Sequence, residues 1–150
     1  MKLLPTSFLR ILFSLLIFFM AATGCTTKQI YPGPQLSPEK VAKLKGTYNF
    51  YYFVDVECII AAVDGKSVFG GEWSSGDTVE MRPGKHEVTM MLLYYLIFEM
   101  GRSRYGKPQT FSFVAEAGHI YKANRNWNGG DNQIWIIDKQ TGKVVAGEKP

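Results

Sequence analysis

From position 46 onward the chain alternates between apolar and polar residues in the manner of strands. Phe111, Phe113 and Ala115 stand against Thr110, Ser112 and Glu116, and Val79 and Met81 stand against Thr78, Glu80 and Arg82. A period of two puts one face of each segment in a core and the other in water. Runs of Tyr, Phe, Val and Ile are separated by Asp64-Gly65, Pro83-Gly84, Gly118 and Thr141-Gly142, residue pairs that suit tight turns. The pattern predicts strands near Tyr48 to Val63, Thr78 to Arg82, Lys85 to Phe98, Thr110 to Ala115, Ile120 to Trp127, Ile134 to Asp138 and Lys143 to Ala146. The first is long enough to be bent or broken. No window after the N-terminal segment supports a long amphipathic helix, so the expected fold is all-β, a small antiparallel β-sandwich of about seven strands.

One run departs from alternation. Met90 to Phe98 is apolar or aromatic throughout, directly after the alternating Glu87 and Thr89. Over about 30 Å of strand both faces are then apolar, which a sheet backed by solvent does not tolerate. Either another part of the chain covers the second face, or a partner does, and Met91, Leu93, Tyr95 and Ile97 are the candidate interface. Methionine and tyrosine suit adaptable contacts. Arg102, Arg104 and Lys107 follow in a short segment with Gly101, Tyr105 and Gly106, read as a basic loop that can meet an anion.

The beginning of the chain has a different character. Lys2 and Arg10 precede the apolar run Ile11 to Met20, followed by Ala21, Ala22, Thr23, Gly24 and Cys25. The run is about half of the roughly 20 residues a permanent membrane helix needs, and it fits an export signal. Ala22, Thr23 and Gly24 before Cys25 resemble the lipobox of bacterial lipoproteins, although Leu is more usual where Ala22 stands. That resemblance implies a signal peptide over 1–24, cleavage before Cys25, and a covalent lipid on its thiol as the one attached group. It also implies a membrane anchor, and Thr26 in the following position points to the periplasmic face of the outer membrane. The alternative is an ordinary export signal cut near Ala22 or Gly24, leaving a soluble product. Residues 25–45, with Pro32, Gly33, Pro34 and Pro38, read as a flexible tether. Within it Ser37-Pro38 starts a brief helical turn through Val41, Ala42 and Leu44. The sandwich is then placed at 46–150.

The order Val63-Asp64-Gly65, Val79 to Met81, Arg82-Pro83-Gly84-Lys85-His86-Glu87-Val88, then Phe113 to Tyr121 resembles PEGA-like β-sandwich modules of cell-envelope proteins. The closing pair around Trp135 and Thr141-Gly142 resembles that of small proteobacterial lipoproteins. This implies a fold and an envelope context, with no active site.

Composition agrees with one compact domain: 150 residues, 46% hydrophobic and 14% aromatic. Loss of Lys2 and Arg10 with the signal lowers the net charge from +4 to +2, which gives no ground for a nucleic-acid partner. Cys58 is the other cysteine, so an acylated Cys25 leaves no intramolecular disulfide.

The chemistry-bearing residues form no recognisable set. Glu116 and His119 are separated by the turn-forming Gly118, and His86 follows the Pro83-Gly84 corner, so both histidines read as structural. The stretch from Asn124 to Asn132 is rich in oxygen ligands but lacks the closing carboxylate of a calcium loop. No serine stands in a nucleophile elbow. No residue is therefore assigned a catalytic or metal-binding role. The expected function is a non-catalytic envelope module that binds or supports another envelope component, as a heteromeric partner or a homo-oligomer. The alternative is a glycan or peptidoglycan-binding module using Trp73, Trp127 and Trp135.

Overall fold

The computed structural model describes residues 27–51, 54–68, 78–96, 103–126 and 132–150. Cys25, Trp73, Ile97, Arg102 and Trp127, together with the whole of the stretch 1–24 read as an export signal, lie outside the described residues.

Twelve strands are formed among them: β1 (Thr27–Gln29), β2 (Ala42–Lys45), β3 (Thr47–Tyr51), β4 (Val54–Val63), β5 (Lys66–Ser67), β6 (Thr78–Met81), β7 (Gly84–Leu96), β8 (Ser103–Tyr105), β9 (Gln109–Ala115), β10 (Ile120–Asn126), β11 (Gln133–Asp138) and β12 (Val144–Ala146). They make two sheets. The first has the order β1-β6-β2-β10-β11-β12, and the second runs β3-β4-β7. Beyond β7, the strands β8 and β9 share its far edge, β9 along its first half and β8 along its last residues. β5 closes a hairpin on β4.

The sheets pack on each other as an all-β sandwich. Val79, Met81, Leu44, Tyr121, Ala123 and Ile136 from the first meet Cys58, Ile60, Val88, Met90, Leu92 and Phe113 from the second. Each fully buried aliphatic side chain contributes about 1.5–3 kcal/mol relative to exposure, so this layer supplies the main drive to fold.

All seven predicted strands are present, the first broken into β3 and β4, which pair antiparallel. The expectation of a purely antiparallel sandwich is corrected in two places: β1 runs parallel to β6, and β2 parallel to β10.

The larger correction concerns residues 25–45. Thr27 to Lys45 is no tether: it supplies β1 and β2, and Tyr31, Val41, Ala42 and Leu44 are buried. Ser37-Pro38 does open a turn of 3₁₀ helix (Pro38–Lys40), but Val41 is already extended, with φ −124° and ψ 155°. Ala42 and Leu44 alternate with Lys43 and Lys45, a strand phase too short to distinguish from a helical turn in isolation. Its position decides the matter, because β6 on one side and β10 on the other satisfy the backbone of β2.

The turns obey local chemistry. Asp64 (φ 50°) and Gly65 (φ 72°) both adopt left-handed backbone, as a two-residue hairpin between β4 and β5 requires. A register shift between Ile60 and Ala62 inserts one residue in β4, which lets Ile60 and Val63, three apart, both face the core.

Candidate functional site

The apolar run of β7 divides as its period dictates. Val88, Met90 and Leu92 enter the core, so Met91, Leu93 and Tyr95 face outward from the second sheet. Register fixes their neighbours. Tyr48, Glu57, Leu93 and Tyr105 form one row across β3, β4, β7 and β8, with Asp55 beside Tyr95 and Ile59 beside Met91. The row is dry in the middle and open at its ends: Leu93 is 1% exposed, Tyr48 47% and Tyr105 49%. Ile59 and Glu57 are buried as well. Leu93 is thus covered within the chain itself, whereas Met91 and Tyr95 are half-buried and Tyr105 stands open. The Tyr48 hydroxyl donates to Asp55 Oδ1 at 2.9 Å, which pushes the phenol above its ordinary pKa. Tyr48 and Tyr105, absent from the interface expected on sequence, reach this face only because β3 and β8 flank β4 and β7.

The predicted basic loop is corrected in part: Ser103–Tyr105 is the strand β8, with Arg104 opposite Tyr94 in register. Lys107 is exposed in the connection that follows. Trp135, offered for sugar stacking, is 8% exposed. Gly147 lies against it with φ +75°, and a Cβ there would meet Trp135 Cα at 2.9 Å. The Trp135 ring is therefore packed away from any planar ligand.

The two histidines sit at one end of the sandwich, each holding turns together. His86 Nδ1 lies 2.7 Å from Asp64 Oδ2, and its Nε2 donates to the Arg82 carbonyl at 2.7 Å. Asp64 also accepts from the Glu87 amide at 3.0 Å. Burial pushes the Asp64 carboxyl up, but the Glu87 amide and His86 together outweigh it and hold the group below its usual value.

His119 is turned toward Asp138 rather than toward the Glu116 that its spacing suggested. Nδ1 lies 2.9 Å from Asp138 Oδ2, whereas Nε2 and Glu116 Oε2 are 3.6 Å apart. Asp138 is buried and accepts from the Gln140 amide (2.8 Å) and the Thr141 hydroxyl (3.0 Å). Burial raises its carboxyl, and those bonds with the one from His119 overcome burial and lower it. Among the described residues this is a joint between the β9–β10 turn and the β11–β12 turn, with every oxygen of Asp138 engaged by the chain itself. No three His, Cys, Asp or Glu side chains group as metal ligands among the described residues.

One group on the inner face carries its signal in the alternation of β10. Tyr121, Ala123 and Arg125 share a phase on β10, and Arg125 accordingly lies on the inner face, opposite the buried Ile134. Its Nη2 donates to the Val56 carbonyl at 2.6 Å. Burial pushes the nearby Cys58 thiol up to about 12, and the Arg125 charge pulls it down too little to matter.

No family model matches this chain, and neither a curated protein nor a solved structure matches it significantly.

Proposed function

We propose that this chain is an envelope lipoprotein of PEGA-like build, anchored through a lipid on Cys25 at the periplasmic face of the outer membrane. Its sandwich acts without catalysis and binds another envelope protein. The observation that carries the binding reading is the outer face of the second sheet, where Tyr105 and Tyr48 are half exposed beside the half-buried Met91 and Tyr95. Tyrosine gives large contact area at modest ordering cost and methionine adapts its shape to a partner, the composition of a protein-binding surface. The roles of His86 and His119 in fastening turns support a structural rather than a chemical use of the histidines.

The test is photo-crosslinking in cells from residues 95 and 105, with residue 122 on the opposite sheet as control. A discrete adduct from 95 or 105 and none from 122 supports the reading. Adducts that are equal from all three positions, or absent from 95 and 105, refute it.

A further inference from the structure

The outer face of the first sheet carries its lysines together. Lys45 on β2 and Lys122 on β10 are register partners, so their side chains leave the same face side by side. Lys43 lies two residues along β2 on that face, beside Ile120, and the Lys139 amide donates to the Ile120 carbonyl at 2.8 Å. The carboxylate in these rows is Glu80, which is buried and paired to Lys43 at 2.9 Å. Glu80 therefore offsets one lysine and leaves Lys45 and Lys122 as directly opposed like charges, an arrangement that disfavours folding on its own.

Ile120 stands opposite Lys43, and the row of Lys45 and Lys122 continues into Ile137 and then Val144, with the two isoleucines half-buried and Val144 exposed. On the other outer face Glu87 stands two residues from Lys85 on β7, and Asp55 and the buried Glu57 lie toward the far end of that strand, opposite Tyr95 and Leu93.

We infer that the outer face of the first sheet docks on an anionic phospholipid surface. Lys45 and Lys122, spread across two strands, match a plane of phosphates better than one small anion, and a polyanionic plane relieves the Lys45–Lys122 repulsion. The lysine stems and the aliphatic side chains beside them fit the boundary below the headgroups. This needs neither the lipid on Cys25 nor the partner proposed above. It leaves the tyrosine face of the second sheet turned away from the membrane.

The test is co-sedimentation of the full chain with vesicles of phosphatidylcholine alone and of phosphatidylcholine mixed with phosphatidylglycerol, at low and high salt. The expected result is tighter binding to the anionic vesicles, weakened by salt. Lys45→Glu with Lys122→Glu lowers that binding about tenfold or more, leaving binding to neutral vesicles unchanged. Lys85→Glu, on the opposite face, makes the same kind of charge change and leaves the preference intact. Circular dichroism checks each fold, and Lys45→Gln with Lys122→Gln decides the matter if the charge reversal unfolds. Equal binding of the wild type to both vesicle types overturns the inference. So does a preference that survives the double substitution, or one that Lys85→Glu removes equally.

Discussion

Asp138→Asn tests whether the His119 joint holds one end of the sandwich together. The carboxylate accepts from the Gln140 amide at 2.8 Å, the Thr141 hydroxyl at 3.0 Å and His119 Nδ1 at 2.9 Å. Hydrogen bonds to a charged acceptor contribute about 1.5–3 kcal/mol each when lost singly, and asparagine keeps one acceptor oxygen of nearly the same shape. Discounted for a site just beneath the surface, the substitution costs about 2–3 kcal/mol, or a fall in Tm of roughly 6–12 °C for a domain of this size. The effect depends on pH. The folded carboxyl is lowered by its partners, so its contribution is fully present above the unfolded value near 4 and is lost as pH falls through the lower folded value. Thermal unfolding followed by circular dichroism at several pH values measures both parts. The gap between wild type and Asp138→Asn stays wide down to about pH 5 and narrows as pH falls below the unfolded value near 4 and on through the lower folded value. A gap of under about 2 °C at neutral pH, or one that does not narrow in acid, would refute the reasoning.

Leu44→Ala removes a fully buried side chain from a segment that reads as linker; it lowers stability by about 2–4 kcal/mol in denaturant unfolding, and a value within about 0.5 kcal/mol of wild type refutes the placement of β2. Cys58, with its thiol pushed up to about 12 and its side chain in the core, resists iodoacetamide in the native protein near pH 8 and reacts once guanidinium unfolds it. Peptide mapping of the alkylated residue reads this directly, and labelling of native Cys58 at the unfolded rate refutes its burial.

The strands were legible wherever alternation ran long enough. Phe111, Phe113 and Ala115 announce β9, and Val79 and Met81 within Thr78 to Arg82 announce β6, because a period of two carried over five or more residues marks a strand, whereas the four residues of β2 do not suffice. Asp64-Gly65 announces its hairpin for an equally local reason, since left-handed backbone at two successive positions selects those residue types. The candidate face was half legible. The excess of apolar residues from Met90 to Phe98 marks a strand wet on neither side, but it names no neighbours. Tyr48 and Tyr105 join that face through pairings with chain that lies far away in sequence.

Local sequence determined the all-β class, most strand positions, the turns and the inward phase of each strand, because these depend on neighbours within a few residues. Tertiary structure decided the rest. Ala42 to Lys45 is a strand because β6 and β10 stand on either side of it, and β1 and β2 run parallel to partners that no hairpin joins to them. His119 meets Asp138 rather than Glu116 because two turns from different hairpins converge at one end. Lys45 and Lys122 became neighbours in the same way, through register across strands separated by about half of the chain. Side-chain alternation is written residue by residue, but which strand lies beside which is settled by the burial of the whole core.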